Sequence, residues 1–322
     1  MPTNQIDRGD ALHFYKNWPS PTTIISDGAY GIGGFDGDPK KVSTLVDWYA
    51  PHIEEWTKYS TSATSLWFWN TEVGWANVHP LLIAHGWQYI QLIIWNKGIG
   101  HIAGNVNGNT IRRFPVVSEV SALYVRPQEV KSLHSNDSIA IQDWLRNEWK
   151  RAGFTLAFAN TVCGVKNAAS RKWLTGDSEW YMPSFEMFSK MREYANLNGR
   201  VGGLPYFESN EDISTESKWA RLRSKWNHHH GMTNVWDVPS LRNSERIKGL
   251  DGKFIHTNQK PLELMRRQIN STTDIGDAIW EPFGGLCSAS VAAQELQRDS
   301  CAAEVKREFY KASKNRLKIQ TK

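Results

Sequence analysis

Apolar and polar positions follow two different periods in two separate parts of the chain. Short apolar runs predict buried strands at residues 22–26, 65–69, 89–95, 117–125, 278–281 and 301–305. Helical spacings between these runs predict helices at residues 40–58, 78–85, 288–297 and 306–317. Strands that alternate with helices in this way are typical of an α/β fold, in which helices cover both faces of a mostly parallel sheet.

The alternation of strands and helices stops between residues 126 and 255. A helix is predicted at residues 138–151, and residues 152–176 resemble a helix-turn-helix. Thr155 would cap the first helix of this motif, and Gly164 would lie in its turn.

The recognition helix of this motif would span residues 166–174, with Val165, Ala169 and Trp173 packed inward. Its exposed side carries residue types that contact phosphates and base edges in DNA, namely Lys166, Asn167, Ser170 and Arg171. An ordinary helical hairpin is the alternative interpretation of the same pattern.

A short strand, a pair of glycines and the start of a helix follow one another at residues 278–290. The strand ends in Glu281, the glycines at 284–285 allow a tight turn, and the helix begins at Ser288. Such a turn at the carboxyl edge of a sheet forms a cradle for a ligand. Glu304 ends the next strand, and an acid about 20 residues after a glycine turn suits hydrogen bonds to ribose hydroxyls. An ordinary strand-to-helix turn remains the alternative, and the absence of a G-x-G-x-x-G fingerprint disfavours an NAD site.

Composition narrows the choice only slightly. A net charge of +5 and a pI of about 9.0 weakly favour a polyanionic partner. The three cysteines lack metal-ligand spacing and suggest no disulfide framework, which favours a reducing cytosol. The histidines at 228–230 have no accompanying carboxylates or cysteines, so they predict a loop and no metal site. No signal-type or membrane-spanning apolar stretch is present, which predicts a soluble, cytoplasmic protein.

Three C-terminal motifs together resemble a known family. The chain has H-T-N-Q-K-P at residues 256–261, E-P-F-G-G-L-C-S at 281–288 and A-A-E-V at 302–305. The S-adenosylmethionine-dependent DNA amino-methyltransferases show H-P-T-Q-K-P, D-P-F-x-G-S-G-T-T and G-I-E-I-D in this order. Their catalytic D-P-P-Y comes first in the β class, and residues 27–30 of this chain are D-G-A-Y. The chain therefore resembles the β class, of the restriction–modification type.

The resemblance implies a Rossmann-like, seven-stranded, mostly parallel methyltransferase sheet with helices on both faces. Residues 1–125 and 256–322 would form the catalytic and cofactor-binding domain. Residues 126–255 would form an inserted target-recognition region, with the helix-turn-helix-like segment near residues 138–195.

The resemblance also implies roles for individual residues. Asp27 and Tyr30 would act on the flipped base, the acid by accepting hydrogens of the amine and the ring by stacking. Gly28 and Ala29 stand where the family has two prolines and would loosen the loop. The cofactor S-adenosylmethionine would be held by Asp10, Thr257, Lys260, Glu281, Phe283, Gly284, Gly285, Leu286, Ser288 and Glu304. Asp10 would face the adenine of the cofactor, Glu304 its ribose, and Lys260 its methionine end.

The predicted function is methylation of the exocyclic N6 amine of adenine in double-stranded DNA, since an Asp and not a Ser opens the four-residue loop. Methylation of cytosine N4, a catalytically impaired DNA-binding relative, and a methyltransferase acting on RNA or protein are the alternatives. A helix-turn-helix argues against RNA, because the major groove of A-form RNA is inaccessible. The expected partners are double-stranded DNA and a separate cognate restriction endonuclease, and the protein would be a monomer or a homodimer.

Overall fold

The computed structural model describes residues 2–34, 37–101, 107, 109–131, 133, 137–176, 179–201, 203–210, 212–241, 245–249, 252–256 and 258–319. The chain divides into two compact units. Unit 1 comprises Met1–Arg126 and Ser224–Lys322, and unit 2 comprises Pro127–Arg223. The expected inserted region extended to residue 255. Unit 2 ends earlier because Val235–Asp237 pairs with the sheet of unit 1.

The strands observed in the described chain include every strand predicted from the hydrophobic pattern, to within two residues. They are β1 (Asn4–Arg8), β2 (Thr23–Ser26), β3 (Ser65–Asn70), β4 (Gln88–Asn96), β5 (Ser118–Val125), β6 (Glu129–Lys131), β7 (Ser138–Ala140), β8 (Val235–Asp237), β9 (Ala278–Glu281) and β10 (Asp299–Glu304). The helices are α1 (Leu45–Tyr59), α2 (Glu72–Ala84), α3 (Ile141–Arg151), α4 (Phe158–Cys163), α5 (Phe185–Asn198), α6 (Glu216–Ala220), α7 (Leu262–Thr272), α8 (Ser288–Glu295) and α9 (Arg307–Ile319).

Unit 1 is built on a sheet whose strand order is β1-β10-β9-β2-β3-β5-β4-β8. All neighbouring strands pair in parallel except β5, which is antiparallel to both β3 and β4. The expected mostly parallel methyltransferase sheet is therefore confirmed, with eight strands in the described chain where seven were expected. Strands β1 and β8 gave no signal in the sequence, because one is short and polar and the other has only three residues.

The direction of the strands brings four connections to one edge of the sheet. Strands β1, β10, β9 and β2 are parallel neighbours, so the segments that follow Arg8, Ser26, Glu281 and Glu304 all leave the same carboxyl edge. Because β5 runs in the opposite direction, its first residues lie at this edge too. Ligands of open α/β sheets bind at such an edge, so this edge holds the candidate site.

Helices cover both faces of the sheet, as the resemblance implies. Successive residues of a strand face opposite sides of the sheet. Ile24, Leu66 and Phe68 accordingly belong to one buried cluster, which includes residues of α1 and α2. Ile25, Trp67 and Trp69 belong to a second cluster, which includes residues of α7 and α8. Since β3 is buried along its whole length, its apolar run is continuous.

The buried tryptophans of β3 find hydrogen-bond acceptors on α7. The indole N–H of Trp67 donates to Thr272 Oγ1 at 3.2 Å, and that of Trp69 donates to Gln268 Oε1 at 3.1 Å. A buried indole without an acceptor would lose its hydrogen bond to water uncompensated. These two bonds therefore fix the position of α7 on the sheet, and α7 begins two residues after Lys260.

Unit 2 has its own aromatic core. Helices α3, α5 and α6 contribute Trp144, Trp149, Phe188 and Trp219, and Phe188 stacks on Trp219 with ring centroids 4.0 Å apart. The helix expected at residues 138–151 begins only at Ile141, because Ser138–Ala140 forms a small hairpin with β6. This core belongs to unit 2 alone.

The helix-turn-helix expected in unit 2 is only partly formed. Helix α4 ends at Gly164, which has the left-handed φ of 68° expected of a turn glycine, but α4 starts after Ala157 and is not capped by Thr155. A single π-helical turn, Ala169–Trp173, stands where the recognition helix was expected. The amide side chain of Asn160 accepts from the Ser170 N–H and donates to its hydroxyl, and these bonds hold the wider turn in place.

The exposed side of the π-helical turn was predicted correctly for three of four residues. Lys166, Asn167 and Arg171 are exposed, whereas Ala169 and Trp173 are buried. The fourth residue, Ser170, is half-buried and held by the amide of Asn160. Its role is therefore structural in this arrangement.

Replacement of Gly74 by alanine tests the packing at the end of β3. A helical Gly→Ala change usually stabilises by up to about 1 kcal/mol. At Gly74 an added Cβ would lie 1.8 Å from Asn70 Oδ1, and Asn70 is fully buried. We therefore expect Gly74→Ala to lower the free energy of unfolding by about 1–3 kcal/mol in urea denaturation.

The matched control is the same substitution in an Asn70→Ala background, where the colliding side chain is gone. The cost of Gly74→Ala should largely disappear there, which a double-mutant cycle measures. An equal cost in both backgrounds would show that Asn70 is not the cause.

Candidate active site

A cleft of about 240 Å³ opens at the carboxyl edge of the sheet in unit 1. Its lining comes from the ends of β1, β2, β9 and β10, together with α1 and the first turns of α9. Six of the residues predicted from the sequence line it, namely Asp10, Asp27, Gly28, Phe283, Gly285 and Glu304. The predicted cradle and the predicted catalytic loop therefore meet in one place.

The turn after β9 has the close backbone approach that its glycines predict. A Cβ on Gly284 would lie 2.9 Å from Cys287 Sγ and 3.0 Å from the Ala303 carbonyl oxygen. Gly285 has a φ of 54°, in the left-handed region that favours glycine. The turn therefore lies tightly against β10 and leads into α8.

Glu281 lies beneath this turn and not in the cleft lining. Its carboxylate accepts from the N–H groups of Ala289 and Ser290 at 2.9 and 2.8 Å, and from the Ser290 hydroxyl at 2.6 Å. Burial raises the pKa of Glu281 to about 7, against the opposing effect of these hydrogen bonds. Glu281 thus stabilises the positive end of α8. In this structure the contacts of Glu281 support the turn from below.

Gly284, Leu286 and Ser288 also support the turn through contacts away from the cleft. Leu286 is buried, and its carbonyl oxygen accepts from Arg316 at 2.8 Å. The Ser288 hydroxyl donates to the carbonyl oxygen of Lys260 at 3.1 Å. Ser288 therefore connects the glycine turn to the segment that carries Lys260.

Glu304 ends β10 and Asp10 follows the neighbouring strand β1, and both residues line the cleft. Glu304 accepts from the N–H groups of Gly285 at 2.7 Å and Lys306 at 2.6 Å. Burial raises the pKa of Glu304, and these two backbone bonds oppose the rise. Asp10 accepts from the Leu12 N–H at 3.0 Å and so caps the 3₁₀ turn Ala11–His13. Each carboxylate keeps lone pairs for a hydroxyl or amine in the cleft.

Aromatic side chains form the apolar wall of the cleft. The ring of Phe283 packs against Trp48 and His52, with centroids 5.0 and 4.8 Å apart. Burial lowers the pKa of His52 to about 4, so its ring is neutral at physiological pH. Three residues of this lining were not predicted as site residues, namely Trp48, His52 and Phe309. Residues of this kind are indistinguishable from core residues in a sequence.

Asp27 and Tyr30 lie together at one end of the cleft, and a lysine connects them to a second acid. The Tyr30 hydroxyl donates to Asp27 Oδ1 at 2.9 Å, and Lys260 Nζ donates to the same oxygen at 2.8 Å. Glu119 at the start of β5 lies 3.1 Å from the Tyr30 hydroxyl, as the alternative acceptor of its single proton, and pairs with Lys260 at 3.0 Å. Lys97 at the end of β4 pairs with the other oxygen of Glu119.

This candidate catalytic cluster, defined as Asp27, Tyr30, Lys97, Glu119 and Lys260, is charged although Lys260 is buried and the other four residues are only partly exposed. Burial would lower the pKa of Lys260, but the two carboxylates outweigh it and raise that pKa to about 12. Burial would raise the pKa of Glu119, but Lys260 and Lys97 outweigh it and lower that pKa to about 2. Burial and the nearby carboxylates keep the pKa of Tyr30 well above its usual value. At neutral pH the tyrosine is therefore a neutral donor between fixed charges.

Lys260 makes its contacts in this cluster, next to the end of the cleft that Asp27 lines. The resemblance placed it near the methionine end of the cofactor, and its ammonium is bonded to Asp27 and Glu119. Glu119 and Lys97 were not predicted as site residues at all. Their signal was present only as charges flanking two buried strands. Thr257, the remaining predicted cofactor residue, lies outside the described residues.

The loop carrying Asp27 is closely packed and not loosened by its glycine. A Cβ on Gly28 would lie 2.6 Å from Phe283 Cδ2 and 2.8 Å from the Tyr49 hydroxyl. The carbonyl oxygen of Ala29 accepts from Tyr49 at 3.0 Å and from Asn70 Nδ2 at 2.8 Å. Tertiary contacts therefore hold the two residues that stand in place of the prolines.

Other kinds of site find no support in the described residues. Among them, no group of three or more His, Cys, Asp or Glu side chains could hold a metal ion. The helices seen in this part of the chain are all too short or too polar to cross a membrane.

Replacement of Lys260 by methionine tests the charges of the cluster. The Lys260 side chain is 5% exposed and those of Asp27 and Glu119 are 26% and 17% exposed, so the variant leaves two partly buried carboxylates without their shared cation. We expect a loss of about 3–5 kcal/mol in the free energy of unfolding at pH 7. Lys225→Met is the matched control, because its partly exposed pairs with Asp274 and Asp277 should contribute no more than about 1 kcal/mol.

The loss should depend on pH. In the native protein the lowered pKa of Glu119 adds stability above its unfolded value of 4.5, and this is lost only as the pH falls through about 2. In Lys260→Met, Glu119 keeps only Lys97 and its pKa would rise from the native value, so the cost of the lost cation is full at pH 7 and is relieved as the acid protonates. The difference in urea unfolding between the two proteins should therefore shrink from pH 7 to about pH 4. A difference that stays constant would contradict the ionised cluster.

Relatives of known class match only parts of this chain. A segment of 110 residues is 31% identical to the Type II methyltransferase M2.MboI of Moraxella bovis, covering 30% of this chain and 38% of that protein. A segment of 85 residues is 29% identical to the Type II methyltransferase M.HinfI of Haemophilus influenzae, covering 26% of this chain and 24% of that protein. The matches thus span well under half the length of either relative.

Two solved structures share the fold over nearly the whole chain. The crystal structure of the M1.HpyAVI–SAM complex superposes with a TM-score of 0.52 at 15% identity, covering 98% of this chain and 100% of that one. The PvuII DNA methyltransferase, described as cytosine-N4-specific, gives a TM-score of 0.55 at 13% identity, covering 98% and 86%. At these identities the likeness concerns the fold.

Membership of a family rests on the longest match. The N6_N4_Mtase family, described as DNA methylase, matches residues 22–315. That range contains both the candidate catalytic cluster and the glycine turn. The chain therefore belongs to the N6_N4_Mtase family of DNA methylases.

Proposed function

We propose that the protein transfers a methyl group from S-adenosylmethionine to the N6 amine of adenine at specific sites in double-stranded DNA. The observation that carries the proposal is the position of Asp27. Its carboxylate lines the cleft while one of its oxygens is held by Tyr30 and Lys260. An acceptor at the boundary between a cofactor cleft and a charged cluster suits an amine that gives up one proton when it gains the methyl group.

The cleft has the chemistry that S-adenosylmethionine requires. Phe283 and Trp48 offer apolar ring surface to an adenine, and Glu304 offers carboxylate oxygens to ribose hydroxyls. Asp10 lies at the same cleft and can accept from the exocyclic amine of that adenine. When bound, the cofactor supplies an electrophilic methyl group on a sulfonium. The names of the M1.HpyAVI complex and of the methyltransferase relatives are consistent with this cofactor.

The target amine needs two acceptors, because its lone pair is delocalised into the ring. Asp27 supplies one of them through its carboxylate. We assign the second to the carbonyl oxygen of Gly28, because the Ala29 carbonyl already accepts two hydrogen bonds. When both N–H groups are held, the lone pair is directed toward the methyl group. Tyr30, fixed through its hydroxyl, would stack on the extruded base.

The choice of adenine over cytosine rests on the Asp that opens the loop, where a Ser would favour cytosine N4. Methylation of cytosine N4 uses the same acceptors and remains the second candidate. Both relatives are named Type II methyltransferases, so we propose a protective role beside a separate restriction endonuclease.

Unit 2 is proposed as the part that recognises the DNA sequence. Lys166, Asn167 and Arg171 are exposed on one short segment, and each can reach a phosphate or a base edge. A π-helical turn shorter than a recognition helix limits how many bases it can read. Other segments of unit 2 would then share in the recognition.

The direct test is incubation of methylation-free duplex DNA with the protein and S-adenosylmethionine, followed by nucleoside mass spectrometry. N6-methyladenine supports the proposal, and N4-methylcytosine would keep the enzyme class and overturn the base. Asp27→Ala should abolish the product and leave cofactor affinity within about two-fold in calorimetry, because Asp27 contributes only at the edge of the cleft. An active Asp27→Ala enzyme would refute the catalytic assignment.

The proposed DNA contacts are tested by Lys166→Ala combined with Arg171→Ala. Loss of two phosphate contacts should weaken DNA binding and reduce the slope of log K against log salt by about 1.8. Lys190→Ala is the matched control, since Lys190 is an exposed lysine of unit 2 already paired with Glu186. Unchanged binding and slope in the double variant would place the DNA interface elsewhere.

A further inference from the structure

A buried acid closes the loop that follows the catalytic residues. Asp38 is 7% exposed, and its two carboxylate oxygens accept hydrogen bonds from four backbone N–H groups. Oδ1 accepts from Tyr30 at 3.0 Å and Gly31 at 2.8 Å, whereas Oδ2 accepts from Ile32 at 3.3 Å and Gly34 at 2.8 Å.

The backbone around Asp38 is shaped for this contact. Gly31 and Gly33 have φ values of 72° and 67°, which turn successive N–H groups toward one point. A Cβ on Gly31 would lie 2.8 Å from Val42 Cα, so the loop is also packed from outside. The Gly33 N–H donates to the Pro39 carbonyl oxygen at 3.1 Å and so connects the two sides of the loop. Concave groups of backbone N–H donors bind anions, and here the anion is the chain's own carboxylate.

Tyr30 is held at both of its ends, by Asp38 at the backbone and by two carboxylates of the cluster at the hydroxyl. The backbone N–H of Tyr30 is fixed by Asp38, and its hydroxyl is fixed by Asp27 and Glu119. The two prolines that would stiffen this loop in the resembled family are absent. The loop therefore needs another source of rigidity at the same place.

We infer that Asp38 is a positioning residue, which holds the loop of residues 30–34 so that Tyr30 and Asp27 keep their catalytic arrangement. It acts through Tyr30 and touches neither substrate nor cofactor. The inference rests on the proposed function for the roles of Tyr30 and Asp27, whereas the order it gives the loop is independent of that function.

Asp38→Asn is the sharpest variant, because it keeps the shape of the side chain. An asparagine turns one acceptor oxygen into an NH₂ group that faces N–H donors, so at least one pair of the four bonds is lost. We expect kcat to fall by about 100-fold, as a small misplacement of reacting groups does. The affinity for S-adenosylmethionine should change less than about two-fold, because Asp38 makes its bonds to the loop and not to the cleft. A destabilised but correctly placed loop would leave kcat intact. A fall in kcat without a change in cofactor affinity therefore separates positioning from simple structural support.

The four hydrogen bonds from the loop to Asp38 form a clamp. Hydrogen exchange measured by mass spectrometry tests this clamp without any assay of activity. In the native protein the amides of Tyr30, Gly31 and Gly34 should be protected, and in Asp38→Asn they should exchange faster while the strands of the sheet do not change. Glu72→Gln is the matched control, since it removes an exposed carboxylate at the first turn of α2. It should leave both kcat and loop exchange at native values.

The outcomes separate the two ideas. Fast exchange of these amides in the native protein overturns the clamp, and this holds even if Asp38→Asn does not fold. A native kcat in a folded Asp38→Asn protein also overturns it. If the native protein modifies no base while its loop amides are protected and Asp38→Asn releases them, the proposed function fails and the clamp stands.

Discussion

The buried ammonium of Lys260 is the contact on which the arrangement of the site depends. It joins Asp27, which is 233 residues away in sequence, to Glu119 of a third segment. Because an unpaired charge at this depth is costly, the three groups stabilise the fold only when they meet together. Hydrogen bonds also position the backbone of Lys260 so that its side chain reaches the two acids. Trp67 and Trp69 donate to α7, and Ser288 donates to the Lys260 carbonyl oxygen.

Tertiary contacts hold the loop of residues 27–30, whereas the resembled family restricts this loop with two prolines. Phe283 and Tyr49 cover Gly28, and Tyr49 and Asn70 hold the carbonyl of Ala29. Prolines would act mainly by restricting the unfolded chain, whereas these contacts exist only in the folded protein. Phe283 also lines the cleft, so one side chain belongs both to the wall of the cofactor site and to the support of the loop. Displacement of its ring would therefore disturb the loop and the cleft at once.

The sequence predicted the sheet and the meeting of its two ends, because buried strands such as β3 and the motifs at residues 27–30 and 281–288 have strong local signals. It missed β1, whose five residues are mostly polar and gain their place only by pairing with β10. The partners of Lys260 could not be predicted either, since a lysine after a glutamine carries no sign of where its ammonium will lie. Asp38 was missed for the same reason, because its donors are backbone groups that every sequence has.

The antiparallel strand β5 has a direct consequence for the chemistry. The pairing of Trp95 with Glu119 puts the first residues of β5 beside the last residues of β4, at the edge where the parallel strands end. If β5 ran parallel to its neighbours, Glu119 would lie at the opposite edge, and Lys97 and Lys260 would lose their shared acid. Asp27 would then be the only anion left beside two buried lysines. The reversal of one strand is therefore what allows Asp27 to share the charge of Lys260 with a second carboxylate and still face the cleft.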